Sequence, residues 1–437
     1  MAFVHDCSCE CMKSELDLFS LAPTQISVES SSYGEYYPLT SLLDGSSIEF
    51  DVNGSGDDYL DLNNTFLHVK AKITQANGNN LPADDVVAPI NYFMHSLFSQ
   101  VDIYLNGTQI TSSTNTYPYR SILESMLSYG DDTKKTQLAS ALFYKDDANR
   151  MDAITVDDTA NSGFMSRRAL TRQSRVIDMM GCIHADIFFQ ERYLLNEVSL
   201  KIRLTRNKDI FCLMGDNDTR VVKIVSAQLL VRKVKLTPSI VLGHAKALEI
   251  STAKYPIKRV VCKTTTIPAG VRDVNQEKLF SGQLPSRLVV TLVDNEAANG
   301  AIGRNPFNFA HFDLSEISVY LDGQQSQLIK PLKLDFANGQ YIEAYMGLFI
   351  GTGKINTDST NSILPHEFAG GYAAYVYDLT PDLSENDHFN LLRQGTVRLA
   401  LRFSQPLARA VTAIAYAEFE NIIEIDRNRN VIYDFSS

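Results

Sequence analysis

The chain has 437 residues, 44% of them apolar and 21% charged, with a net charge of −11. That length suits two or three globular domains with their own cores, and the acidity argues against binding nucleic acid through the whole surface, because phosphate contacts need basic side chains. No apolar run approaches the ~18 residues of a membrane-crossing helix, and the first residues (MAFVHDCSCECMKSELDLF) lack a signal peptide's basic-then-apolar layout, so synthesis in the reducing cytosol is expected.

In chain order, residues 1–20 read as an arm with three cysteines, mixed charge and no periodicity. Residues 23–50 are rich in Ser, Tyr and turn formers, with short extended pieces. After a turn at 54–58, Leu67, Val69, Ala71 and Ile73 alternate with His68, Lys70, Lys72 and Thr74, the period of a strand with one face buried. Residues 77–85 form a loop. Val101-Asp-Ile-Tyr-Leu-Asn-Gly107 is a strand running into a tight turn, since Asn and Gly tolerate positive φ. Residues 119–130 are helical, with Ile122, Leu123, Met126 and Leu127 on one face and Gly130 as a left-handed stop. A second short helix is expected over 137–144. Residues 152–162 are a polar excursion, expected to be exposed and mobile.

Further on, Val198, Leu200, Ile202 and Leu204 alternate with Ser199, Lys201, Arg203 and Thr205, and a long β-prone run follows over 221–235. Thr237-Pro238 closes the first half, and residues 239–248 form a connecting helix or an extended linker. The second half opens with strands over 254–267 and 287–293, then a long loop over 294–309. It then repeats the earlier order. Ile317-Ser-Val-Tyr-Leu-Asp-Gly323 matches the first hairpin, with Ser315 for Ser99 and Gln325 for Gln109. The helical stretch 341–353 opens on Tyr341 as the earlier one opens on Tyr119. Val397, Leu399, Leu401 and Phe403 alternate with Arg398, Ala400, Arg402 and Ser404, and residues 410–425 close the half with a second β-prone run.

A hairpin repeated at half-length implies two similar β domains in tandem. Short strands, helices confined to insertions and long loops point to antiparallel sandwiches, and an eight-stranded jelly roll fits about 200 residues when its loops are large. The expected fold is therefore all-β: two tandem eight-stranded jelly rolls with short helices in loop insertions. The expected domains are an arm over 1–20, a first roll over 21–237 and a second over 238–437.

The residues that suggest chemistry are few. Cys7, Cys9 and Cys11, with His5 nearby, offer soft ligands, but structural zinc sites use pairs spaced C-x₂₋₄-C in a folded knuckle. Reduced thiols in an arm fit better, with cross-linking between chains in an oxidising medium as the other reading. Cys182, Cys212 and Cys262 sit among apolar residues and are expected to act as small core hydrophobes. Gly351-Thr352-Gly353-Lys354 fails the phosphate-loop pattern, because Leu348 stands where its first glycine belongs and Ile355 where Ser or Thr belongs. A helix end and turn is expected there.

His184-x-Asp186 and His366-Glu367 are the notable histidine–carboxylate neighbours. A tandem jelly roll also suits a two-domain cupin, whose metal needs clustered ligands, whereas the histidines here are scattered singly. Arg167, Arg168, Arg172 and Arg175 are close in sequence. They either face a packaged polyanion, pair with carboxylates of a neighbouring subunit, or sit in a solvated or locally paired loop. No catalytic, cofactor-binding or metal-binding residue is selected.

Longer strings carry a resemblance. NPFNFAHFDLSEISVYLDGQ (305–324), GYAAYVYDLTPDLSENDHFNLL (371–392) and YAEFENIIEIDRNRNVIYD (416–434) resemble double jelly-roll major capsid proteins of Polinton/Maverick elements and the related adintoviruses. So do SELDLFSLAPTQISVE (14–29), GSGDDYLDLNNTFLHVKAKI (54–73) and FFQERYLLNEVSLKIRL (188–204) in the first half. The resemblance implies a non-enzymatic building block. Three chains would form a pseudo-hexameric homotrimeric capsomer, and capsomers would tile an icosahedral shell around double-stranded DNA. Neighbouring capsomers and a minor penton protein would be partners, the virion the location, and the arm a tie between neighbours. A scaffold of the same fold, a cupin-like enzyme and a glycan-binding lectin are the alternatives.

Overall fold

The computed structural model describes residues 11–42, 47–54, 56–157, 160–322, 324–325, 330–381 and 388–433. Among these, the strands form two face-to-face antiparallel sandwiches, beside a small two-stranded sheet of Val87–Pro89 with Leu213–Gly215. In the first, Val28–Tyr36 (β1), Arg220–Leu236 (β8), Tyr59–Gln75 (β3) and Ile177–Cys182 (β6) lie side by side in that order. Opposite them lie Ile48–Val52 (β2), Leu200–Arg206 (β7), Phe98–Leu105 (β4) and Thr108–Gln109 (β5). The second sandwich repeats both orders. One sheet runs Ala253–Ile267 (β9), Val411–Ile425 (β16), Arg287–Asp294 (β11) and Ala374–Asp378 (β14). The other runs Asp273–Gln283 (β10), Gln394–Phe403 (β15), Leu314–Leu321 (β12) and Gln324–Gln325 (β13). Each strand therefore has its counterpart eight labels later. In both, sheet order is first-last-third-sixth and second-seventh-fourth-fifth, the connectivity of a jelly roll. The chain folds as a double jelly roll, with every strand of one roll before Pro238 and every strand of the other after it.

The repeat extends to single residues. Along β4 and β7, Val101 faces Leu204, Ile103 faces Ile202 and Leu105 faces Leu200. Along β12 and β15, Ile317 faces Leu401, Val319 faces Leu399 and Leu321 faces Val397. All but Leu321 are buried, as the period-2 pattern requires, because a one-residue slip would turn the apolar set outward. Both ladders bulge at the same serine, Ser99 and Ser315. The Ser315 hydroxyl donates to Arg402 O at 2.9 Å, and that of Ser99 reaches Thr205 O, the equivalent carbonyl, at 3.4 Å.

The turns agree as well. Asn106 and Asp322 sit at φ 45° and 53°. The Asn106 side-chain oxygen accepts from Ser199 N–H at 2.7 Å, and an Asp322 carboxylate oxygen accepts from Thr396 N–H at 2.8 Å. Gly107 follows Asn106 at φ 81°; its counterpart Gly323 lies outside the described residues.

The alternating runs fold as read, except that Thr74 is buried along with the inward set. Between the fifth and sixth strands of each roll sits a helix, Tyr117–Ser128 (α1) and, in the second roll, Ile342–Ile350 (here α4). Ser162–Thr171 (α2) is capped by Asn161, whose side chain accepts from Gly163 N–H. The connection between the halves is the helix Pro238–Leu248 (α3), of which Leu248 alone is buried.

The left-handed stop expected at Gly130 is absent. Its φ is −82°, because α1 ends in extended backbone at Tyr129 and Gly130 caps the next short helix, Asp131–Lys135. The segment 351–354 is a helix end and turn, with Gly351 N–H donating to Gly347 O at 2.8 Å and the Thr352 hydroxyl to Leu348 O at 2.6 Å.

The matched turns make a test. Asn106→Asp keeps the acceptor for Ser199 N–H but loses the bond that Asn106 Nδ2 donates to Arg429 O at 2.8 Å, and should cost about 1 kcal/mol by thermal unfolding. Asn106→Val removes the acceptor and strains the positive φ, and should cost about 2 kcal/mol, read as a loss of several degrees by thermal unfolding.

Candidate functional site

The two rolls meet along a seam of buried polar groups, led by α1. Its exposed-side period brings Arg120 and Glu124 to one face, four residues apart. Arg120 donates through Nη2 to Asp186 Oδ1 at 2.6 Å and through Nε to Glu124 Oε1 at 2.8 Å. Asp186 Oδ1 also accepts from Val260 N–H of β9 at 3.2 Å, and Tyr416 of β16 donates to Glu124 Oε1 at 3.3 Å. Glu124 Oε2 lies 2.6 Å from His184 Nδ1, and Tyr92 OH lies 2.9 Å from His184 Nε2. Both oxygens of Glu124 are thus engaged, which suits a structural carboxylate and not a general base awaiting substrate.

The electrostatics follow from burial opposed by pairing. Burial works against the charge on Arg120, but Asp186 and Glu124 outweigh it and hold the proton on. Burial would raise Glu124, yet Arg120 and His184 hold it below the ordinary glutamate range. For Asp186 burial wins over Arg120, and its carboxyl is raised. His95, stacked edge-on against His184 with ring centroids 4.6 Å apart, is held well below the ordinary imidazole range, by burial first and then by that neighbour. An open cleft of about 980 Å³ runs along the seam between α1, β9 and β16.

Two further knots tie the halves. Asp146 Oδ1 accepts from Arg167 Nη2 at 2.7 Å and from Asn161 Nδ2 at 2.8 Å, while Oδ2 accepts from Asn305 Nδ2 at 2.8 Å. Tyr372 OH donates to Asp146 O at 2.7 Å. Lys134 donates to Met126 O at 2.9 Å and to Asn361 O at 2.6 Å.

The arginines therefore do not act as one cluster. Arg167 is fully buried, with Nε on Pro89 O at 2.8 Å and Nη1 on Tyr144 O at 2.6 Å besides its Asp146 contact, so it faces neither a polyanion nor a neighbouring subunit. The helical turn of α2 points it inward and its sequence neighbours outward. Arg168 and Arg172 donate to the carbonyls of Asp85 and Ala83, and Arg175 is exposed.

Of the cysteines, Cys212 and Cys262 are buried as expected, but Cys182 is exposed, because it ends β6 on the outward face opposite Phe66. Cys11 is exposed, while Cys7, Cys9 and His5 lie outside the described residues. Of the polar excursion, 158 and 159 also lie outside them. Glu367, beside His366, pairs with Lys145 at 2.6 Å and accepts from Leu364 N–H, closing the short helix Pro365–Ala369. Among the described residues, no group of three or more His, Cys, Asp or Glu side chains is placed to hold a metal ion.

Sequence reasoning missed the seam. Its members are spread from Tyr92 to Tyr416, and the local signals were the His184-x-Asp186 neighbours, which the structure places in the seam, and Arg120 and Glu124 four residues apart, off the helix face that apolar periodicity assigned to the core.

Known proteins resemble the chain mainly in shape. No protein-family profile matches it. A curated Caenorhabditis elegans protein, "Uncharacterized protein F54H12.2", is 28% identical over 400 residues, spanning 88% of this chain and 93% of its own length. Among solved structures, a chain of the Sputnik virophage seen by cryo-EM superposes with a TM-score of 0.66 at 12% identity, covering 98% of this chain and 93% of its own. The Faustovirus major capsid protein gives 0.59 at 11% identity over 94% and 92%. The mavirus major capsid protein gives 0.57 at 12% identity over 98% and 96%. At such identities the likeness establishes the double jelly-roll fold.

Two outcomes check the buried knots. Arg167→Ala should cost about 3 kcal/mol or more, since it strands a buried carboxylate, whereas Arg168→Gln, Arg172→Gln and Arg175→Gln together should cost about 1 kcal/mol by the same thermal assay. Lys134 is pushed down to about 7, chiefly by burial. The unfolded chain then binds more protons than the folded one between about pH 7 and the ordinary lysine range, so this penalty is full below pH 7 and fades as pH rises. Lys134→Met should therefore be less destabilising at pH 6.5 than at pH 9.5, by an order of 3 kcal/mol.

Proposed function

We propose that this chain is the major capsid protein of a double-stranded DNA virus, or of a virus-derived element, in the Polinton/Maverick–adintovirus lineage. Three copies form a pseudo-hexameric capsomer, and capsomers tile an icosahedral shell. The domains are an arm over 1–20, a first roll over 21–237 and a second over 238–437. The observation that carries the reading is the repetition of one roll twice, in the same strand order and register, with the two copies locked by a polar seam. Three such chains present six near-equivalent edges, so a trimer can fill a hexagonal tile, and similar but non-identical halves allow symmetric contacts while loops diverge.

The fold likeness to the mavirus and Faustovirus major capsid proteins supports the reading, as do the family-typical strings of both halves. The protein acts as a structural element without enzymatic activity. Neighbouring capsomers and a minor penton protein are its partners in the virion, after synthesis in the host cytoplasm. It meets packaged DNA indirectly, in keeping with a net charge of −11. No helix among the described residues is long and apolar enough to cross a membrane.

Light scattering of the purified protein at micromolar concentration, followed by negative-stain imaging, tests this. The expected result is a threefold mass with hexagonal outlines, plates or cages. A monomer at that concentration overturns the reading.

A further inference from the structure

The duplicated rolls place the same surface elements in two chemical versions, and one version is left uncovered. Within the chain, α1 of the first roll lies against the outer face of the second, where Glu124 meets the Tyr416 hydroxyl and Asp186, paired with Arg120, takes the Val260 N–H. Aligning Tyr119 with Tyr341, the tyrosine that opens each helical stretch, puts Ile342, Met346 and Ile350 of α4 at the positions of Arg120, Glu124 and Ser128. Those three are exposed by 52%, 37% and 48%. A stripe recurring every fourth residue, apolar and open to water, is unusual for a surface helix, whose outward face is normally polar.

The dileucine before the seventh strand behaves in the same way. Matching Leu200 of β7 to Val397 of β15, as the paired registers require, puts Leu194-Leu195 opposite Leu391-Leu392. Leu194 and Leu195 are buried, and Leu195 N–H donates to Tyr255 OH of the second roll at 3.1 Å. Leu391 and Leu392 are 85% and 71% exposed.

The receiving face has switched as well. In the second roll, Glu418, Arg287 and Asp378 form one row across β16, β11 and β14, beside Tyr416, the residue that reaches Glu124. In the first roll the same row, ending on the last residue of the sixth strand, is Leu230, Phe66 and Cys182 across β8, β3 and β6. Tyr33 of β1 packs on Phe66 with ring centroids 6.3 Å apart and is 53% exposed. Thus the helix that is polar within the chain faces a polar row, and the helix that is apolar has an apolar row as its counterpart on the other roll.

We propose that Ile342, Met346 and Ile350, with Leu391-Leu392, of one copy dock on the Tyr33–Phe66–Leu230 face of the next copy. The contact repeats between chains the arrangement that α1 makes with the second roll within one. The occupant is a second copy of this chain, because the complementary surface is present on the same molecule and the positional match is internal to the fold. Such a contact is head-to-tail, so each added copy offers it again until the ring closes. The inference rests on the self-assembly reading above and names the surfaces that carry it.

The test uses the full chain in a dilution series followed by light scattering. Ile342→Glu/Met346→Glu and, separately, Leu391→Asp/Leu392→Asp should each raise the apparent dissociation constant on the order of 100-fold, since they bury unpaired carboxylates in the contact, while circular dichroism and melting stay as in wild type. Variants that assemble like an assembling wild type overturn this contact alone. A wild type that is monomeric throughout overturns the self-assembly reading and this contact with it. Met346→Cys/Leu230→Cys, with Cys7, Cys9, Cys11 and Cys182 replaced by serine, keeps the question open to decision if a charged variant unfolds. A short bismaleimide should then join chain to chain in the double variant and in neither single one. Absence of that product in assembled protein overturns the contact.

Discussion

The buried charges of Arg120, Glu124 and Asp186 between the two rolls have their partners fixed across or beside the seam, and that requirement sets the relation of one roll to the other. Arg120 satisfies Asp186 and Glu124, Asp186 takes a backbone N–H from β9, and Glu124 takes the hydroxyl of Tyr416. A hydrophobic contact would tolerate sliding, since apolar burial has no direction. A charge moved away from its partner in a low-dielectric interior loses several kcal/mol. The Asp146 and Lys134 knots act in the same way at other points along the contact.

That arrangement explains how two similar domains acquire one geometry. The repeated bulge at Ser99 and Ser315, and the repeated Asn106 and Asp322 turns, hold each sandwich in the same register. The rolls then share strand order and register, while strand lengths, insertions and surfaces distinguish them. Covalent connection through α3 gives the intrachain contact a high effective concentration, so a polar seam that adds orientation more than net stability is sufficient there. Association of separate chains must first offset lost translational and rotational freedom. Apolar side chains such as Ile342, Met346 and Leu391 supply that more readily than ion pairs do.

Position explains where sequence and structure part. Gly130 follows a helix, as a left-handed stop would, yet extended backbone at Tyr129 had already ended it and Gly130 begins the next turn. Cys182 has apolar neighbours in sequence, but the two-residue period of β6 turns it outward. The arginines from 167 to 175 are adjacent in the chain, but α2 and the turn after it send Arg167 into a buried bond with Asp146 and leave Arg175 in solvent. For Cys182 and the arginines local composition was read correctly and side-chain direction was not, because direction is set by a residue's phase within its strand or helix.

By itself the sequence determined the strands with alternating faces, the repeated Asn-Gly and Asp-Gly turns and the order of elements in each half. Those properties arise from neighbours two to four residues apart. It therefore carried the double jelly roll, but the five-residue β2, too short to stand out despite its alternation, and β6 and β10, whose alternation is weak or interrupted, passed unread. Only the tertiary structure decided which groups meet at the seam, since Tyr92, Glu124, His184, Val260 and Tyr416 are brought together by sheet order and not by spacing. It also decided that the same helix position is covered in one roll and open in the other, because exposure is a property of what packs alongside and is not encoded in any local pattern.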